Sequence, residues 1–167
     1  MSYQALDETD LRILEALGRD PRVPMSRLAR AIRMSPPATT ERVRRLEQLG
    51  VISGYRMEVS PEAVGLPITA FVRIRPAPGQ LPQIAELAKA TREVVECHRI
   101  TGEDCFLIKV HSTAIEALEG ILDRFLALGQ TTTSIVQSSP VPGRPPPLEH
   151  LRQRQPPRRR NHPAPDR

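Results

Sequence analysis

Along residues 7–50 the apolar positions recur every three or four residues and break into three stretches, the signature of three amphipathic helices. Leu11, Leu14 and Leu17 mark the first, which opens at Asp7 as N-cap with Asp10 at N3 and closes near Gly18. Leu28, Ala29 and Ile32 mark the second; Thr39, Val43 and Leu46 mark the third. Between the last two stands Met34-Ser35-Pro36-Pro37. The Ser35 hydroxyl can accept from a free amide of the first turn, Pro36 falls at N1 where a missing N–H costs nothing, and Gly50 ends the stripe. A short helix, a tight turn and a capped helix predict a helix-turn-helix over 25–50, with the first helix packed across it. Residues 51–59 read as an extended, wing-like segment, Ser60-Pro61-Glu62 as a helical turn, and Gly65-Leu66-Pro67 as its break.

From Ile68 the rhythm changes. Residues 68–75 alternate as a strand and stop at Pro76. Leu81, Ile84, Leu87 and Ala88 take helical spacing within 80–92. Residues 94–101 and 105–111 are two β-rich runs around a turn near Gly102-Glu103, a hairpin signal. Ile115, Leu118, Ile121, Leu122, Phe125 and Leu126 form another helical stripe, and 131–137 a closing strand. The order β-α-β-β-α-β is the ferredoxin-like arrangement, so the expected class is α+β, a winged helix-turn-helix followed by a ferredoxin-like domain. The boundaries fall at 1–56, a linker 57–67, 68–141, and a Pro/Arg-rich tail 142–167 expected to be disordered.

Charge gives the third predicted helix a purpose. With Thr39, Val43 and Leu46 inward, Pro37, Glu41, Arg44 and Gln48 face outward and Ala38, Thr40 and Arg45 lie on the flanks. Guanidinium groups and short polar side chains suit phosphates and base edges in a major groove about 12 Å wide. Arg44, Arg45 and Thr40 are the candidates for base or phosphate contact, with Ser35, Pro37, Ala38 and Glu41 on the groove side. Arg27, Arg30 and Arg33 of the preceding helix are candidates for phosphate contacts, which position without specifying. Arg42 falls nearer the packed side, where it can bridge to an acid of the first helix. The formal net charge of +5 is uneven: nine arginines against three acids over 19–56, net −3 over both 1–18 and 57–143, and +5 from Arg144 onward. A basic patch beside acidic neighbours fits a polyanion, double-stranded DNA, as partner of one region. The tail can remain a solvated appendage or add phosphate contacts, steepening the salt dependence by about 0.9 per phosphate.

Other classes find little support. Cys97 and Cys105 are the only cysteines; a two-residue turn puts them on opposite sheet faces, and reduced core thiols without a metal are expected. His98 and His111 read as structural or interfacial, and His150 and His162 lie in the tail, so no catalytic constellation, metal or cofactor is expected. Neither a signal peptide nor an apolar run near ~18 residues is present, and a soluble cytoplasmic protein is expected. On the hairpin one parity carries Cys97, Phe106, Ile108 and Val110 and the other Ile100, Cys105 and Leu107. A sheet apolar on both faces with helices on one needs a partner, and an identical chain predicts a homodimer.

Leu11-Arg-Ile-Leu, Leu28-Ala, Met34-Ser-Pro, Arg42-Val-Arg-Arg-Leu, Leu49-Gly-Val-Ile-Ser-Gly-Tyr, Glu96-Cys-His-Arg-Ile-Thr-Gly and Gly129-Gln-Thr-Thr-Thr-Ser-Ile-Val are colinear motifs. Over residues 6–140 the chain resembles the Lrp/AsnC (feast/famine) transcriptional regulators. The resemblance implies dimers gathering into octamers or similar rings, and a small-molecule effector, an amino acid or related metabolite, bound between dimers. It places the effector at the hairpin turn, often Gly-x-x-Asp, and at the start of the last strand. Gly102 matches; Cys105 stands where that Asp would be and Asp104 one place earlier, so Asp104, Glu103 or main-chain carbonyls would meet an ammonium group. Thr131, Thr132 and Thr133 match the strand side and suit a carboxylate. Two alternatives stay open: a DNA-compacting architectural protein with little effector response, and a tetrapyrrole-decarboxylase-like enzyme of related fold.

Overall fold

Asp7 starts the chain's regular structure by a reciprocal cap: its Oδ1 accepts from the Asp10 amide at 2.8 Å and Asp10 Oδ2 accepts from the Asp7 amide at 3.1 Å. The computed structural model describes residues 6–152. They form two compact units, one from the residues up to Arg56 together with those from Val141 onward, the other Met57–Pro140.

In the first unit α1 (Glu8–Arg19), α2 (Met25–Ile32) and α3 (Pro36–Gln48) pack around Ile13, Leu17, Leu28, Ile32, Val43 and Leu46, with Leu11 also fully buried. Ile13, off the expected Leu11/Leu14/Leu17 stripe, is fully buried, whereas Leu14 is only half-buried. Arg33 ends α2 in the left-handed region, φ 60°, an unusual conformation for a residue with a Cβ. After α3, the amides of Val51 and Ile52 bond back to the Leu46 carbonyl. Residues 53–60, where the wing was expected, carry no regular secondary structure and pair with no strand among the described residues.

In the second unit, a 3-10 turn (Glu62–Val64) precedes β1 (Ile68–Pro76), α4 (Leu81–Ala90), β2 (Val94–Arg99), β3 (Phe106–Ser112), α5 (Ile115–Leu126) and β4 (Gly129–Ile135). The sheet is antiparallel in the order β2-β3-β1-β4, the expected ferredoxin-like topology. Ala70, Val72, Ile74, Phe106, Ile108 and Val110 point to one face and are buried under Ile84, Ala88, Leu118, Ile121 and Phe125 of the helices. β4 starts two residues earlier than its sequence pattern, at Gly129, which pairs with Pro76. A Cβ there would collide with the Arg75 carbonyl oxygen and come within 3.0 Å of Pro76 Cα, so only glycine permits this approach.

Two expectations need correction. The uncovered face carries Thr69, Phe71, Arg73 and Arg75 of β1, Leu107, Lys109 and His111 of β3, and Glu96 and His98 of β2. Charges dominate it, Phe71 and Leu107 are the large apolar residues in its regular register, and Ile100 and Cys105 lie past the paired strand ends; the sheet is not apolar on both faces. Nor is Cys97 a core thiol: it is exposed on edge strand β2, whereas Cys105 is half-buried and packs against the core, and both are free. Residues 141–152 belong with the first unit and end in α6 (Glu149–Arg152), while 153–167 lie outside the described residues. No helix among the described residues is long and apolar enough to cross a membrane.

Candidate nucleic-acid interface and effector turn

The recognition surface follows from how α3 is started. Ser35 caps it, its Oγ accepting from the Ala38 amide at 3.4 Å, and Pro36 takes the first helical position. Thr39 is buried, its hydroxyl donating to the Ser35 carbonyl at 2.9 Å, and Val43 and Leu46 follow it inward. The opposite side is therefore outward: Ser35, Pro37, Glu41 and Arg44 are exposed, Ala38 and Thr40 half-exposed. The Thr40 hydroxyl donates to the Pro36 carbonyl at 3.0 Å, which leaves its oxygen free to accept. Arg27, Arg30, Arg33 and Arg44 are exposed and have no acidic partner among the described residues. Four unneutralised guanidinium groups on two consecutive helices and their turn form a surface for a polyanion.

Arg45 behaves differently from its sequence reading. Its Nη2 donates to Asp10 Oδ2 at 2.6 Å, and Arg42 Nη1 donates to Asp10 Oδ1 at 2.9 Å and to Asp7 Oδ2 at 2.6 Å. Asp10 is fully buried, so one carboxylate with both oxygens engaged joins the cap of α1 to the middle of α3. Burial would raise the Asp7 carboxyl, but the Asp10 amide and the Arg42 guanidinium outweigh it and hold the group below its ordinary value; the same partner raises Arg42. Arg42 makes the expected bridge to helix one. Arg45 is half spent on it, and orienting α3 becomes its first role. At the end of α3 the exposed Tyr55 hydroxyl donates to Glu47 Oε1 at 2.9 Å, and partial burial with that neighbouring carboxylate pushes the phenol up to about 12.

In the second unit the hairpin closes with an Ile100 amide to Cys105 carbonyl bond at 2.9 Å, giving a four-residue turn, 101–104, where two were expected. Gly102 has φ 108°, open only to glycine. The turn sends Glu103 and Asp104 toward β1: Glu103 pairs with Arg75, and Asp104 lies 3.8 Å from both Arg73 Nε and Arg75 Nε. Arg73 is opposite Thr132 on β4, so Thr132 joins this cluster on the open face. Thr131 and Thr133 pair with Ile74 and Val72 and turn to the helix side, so the three threonines cannot act together. Cys105 contributes only a weak thiol contact to the Glu103 carbonyl, at 3.9 Å. Arg73 and Arg75 were missed in the sequence, although alternation with Ala70, Val72 and Ile74 put them on one face. A groove of about 530 Å³ between α4 and β2, floored by Leu81, Ala85 and Phe106, is a weaker candidate, since its lining carries no acid and its Lys89 is engaged by Glu86.

A helix-turn-helix with an unpaired basic face, carried in one chain with a ferredoxin-like unit, defines a DNA-binding transcriptional regulator, with DNA as its partner. Residues 6–53 match the family model for winged helix-turn-helix DNA-binding, and residues 69–146 the one for the Lrp/AsnC ligand binding domain. The chain is 34% identical to the HTH-type transcriptional regulator LrpC of Bacillus subtilis over 80% of its own length and 92% of that protein's. The solved structure of LrpC superposes with a TM-score of 0.78 at 33% identity, over 81% of this chain and 97% of that one. A Neisseria meningitidis regulator in complex with L-methionine gives 0.83 at 27% identity, over 87% and 99%. A feast or famine regulatory protein of Mycobacterium tuberculosis, also complexed with L-methionine, gives 0.79 at 33%, over 84% and 98%. The chain belongs to the Lrp/AsnC family of transcriptional regulators.

Proposed function

We propose that the chain regulates transcription by sequence-specific binding of α3 in the major groove, and that an α-amino acid held at the 101–104 turn modulates this binding. The observation that carries the effector reading is the interleaving of Arg73 and Arg75 with Glu103 and Asp104 beside Thr132 on an exposed face. Two cations and two anions within one patch can exchange partners with a zwitterion, the guanidinium groups taking its carboxylate and the acids its ammonium. Two relatives solved with L-methionine support the same ligand class. Arg44 and the acceptor oxygen of Thr40 read bases, while Arg27, Arg30 and Arg33 hold phosphates. The assembly is a homodimer that builds a higher oligomer in the cytoplasm, so that heads meet paired half-sites and an effector acts by favouring one arrangement of heads over another.

Titration with each of the twenty amino acids, reading thermal stability and DNA affinity together, tests the effector. At least one raises stability and changes affinity, and Arg73→Ala removes both responses. No response to any of them favours the architectural reading instead. For the interface, Arg44→Ala lowers affinity by about 5- to 150-fold and flattens discrimination at one base position, whereas Arg27→Ala weakens all sequences alike.

A further inference from the structure

The outer face of α1 is occupied by the chain's own C-terminal segment. The chain leaves the first unit at Arg56, passes through the whole of the second, and rejoins the first at Val141. Two contacts hold it there, at Gly18 and at the Glu8/Glu15 pair. The Pro145 ring lies over Gly18, with Cγ 3.3 Å from where a Cβ would stand, at the only residue of α1 without a side chain. Leu148 is half-buried. Arg152 Nη2 donates to Glu15 Oε1 at 2.7 Å and lies 3.7 Å from Glu8 Oε1. Glu8 and Glu15 are two helical turns apart, on one stripe, so a single guanidinium can serve both. The charges agree in sign: residues 1–18 carry a net −3 and residues 141–152, with Arg144 and Arg152 against Glu149, a net +1.

We propose that the outer face of α1 is a docking surface for residues 141–152 of the same chain, and that this docking holds the DNA-binding unit at both ends of its sequence. A single tether at residue 56 leaves most orientations of that unit open. A second attachment closes a loop through residues 57–140 and removes many of them. The pairs are 31–44% exposed, so each is weak and screened by salt, and the strap is reversible: salt or phosphate oxygens competing for Arg152 release it. The ligand-binding family match ends at residue 146, so the turn that carries Arg152 is a feature of this chain beyond the family match.

Hydrogen exchange on the full-length chain without DNA tests the docking. Arg152→Glu speeds exchange in peptides covering 141–152 by up to about fivefold, and the reversed pair Arg152→Glu with Glu15→Arg restores it. Unchanged exchange in the single variant, or no rescue in the double, overturns the proposal. Geometry offers a second measurement: the built Gly18 Cβ lies 3.7 Å from Pro145 Cβ, within the range that a disulfide spans. In a Cys97→Ser, Cys105→Ser background, Gly18→Cys with Pro145→Cys closes within one chain under mild oxidation. A crosslink between two chains, or none, overturns docking in cis. The tethering is read from the anisotropy decay of a dye at Ser26→Cys in the background free of native cysteines. Arg152→Glu enlarges the segmental component relative to that background, and identical decays refute the restraint. None of these readouts requires DNA, so they stand apart from the regulatory reading.

Discussion

Both units contain a knot of arginines and acids, and burial gives the two knots opposite uses. In the DNA-binding unit Asp10 is fully buried, with both oxygens taken by Arg42 and Arg45 and its own main chain fixed by the cap with Asp7. In the sheet unit Glu103 and Asp104 stand at a turn, with Arg73 and Arg75 about half exposed. A buried charge whose partner is lost stays desolvated and is costly, whereas an exposed pair is replaced by water or a ligand at almost no cost. The first knot therefore orients a helix and the second is available to exchange partners, although their residue types are nearly the same.

The largest effect that separates them is Asp10→Ala, which removes two charge-assisted bonds and half of the cap. Urea denaturation should show about 2–3 kcal/mol lost from the DNA-binding unit, with the sheet unit unaffected. A loss near zero would break the comparison. Acid should part the units next. His111 is held below its ordinary 6.5 by partial burial and by Lys109, so its contribution is complete above 6.5 and declines as the pH falls below it. Residues 6–56 contain no histidine, and the depressed Asp7 contributes fully above 3.8 and is lost only below it. Residue-resolved NMR between pH 7 and 4 should show the sheet unit losing stability first. Arg33→Gly relieves a left-handed residue and should stabilise the DNA-binding unit by about 1 kcal/mol, while weakening DNA binding through the lost cation. The smallest effect on stability is that of Asp104→Ala, under about 0.5 kcal/mol, together with a reduced response to the effector.

Local chemistry was legible where each residue acts on its neighbours. Asp7 with Asp10, Ser35 with Pro36, the stripe Thr39-Val43-Leu46 and the alternation of β1 all read directly, because a cap or a period is a property of a few adjacent positions. Legibility failed where position depends on distant chain. The outward direction of Arg45 did not reveal that Asp10, 35 residues earlier, would hold it. The run Thr131-Thr132-Thr133 matched a family position, yet strand alternation divides it between two faces. A proline-rich composition did not reveal that Pro145 and Arg152 would meet groups on α1.

The sequence by itself determined the elements, their order and the basic side of α3, since hydrophobic periodicity, capping and charge act over a few residues. Tertiary structure alone decided which arginines remain free. Arg44 and Arg45 are adjacent in the chain, and only the packing of α1 across α3 brings a buried carboxylate within 2.6 Å of Arg45, leaving Arg44 unpaired among the described residues. It also decided that Arg73 and Arg75 meet the acids of the turn, because β1 lies beside β3 only once the sheet has formed.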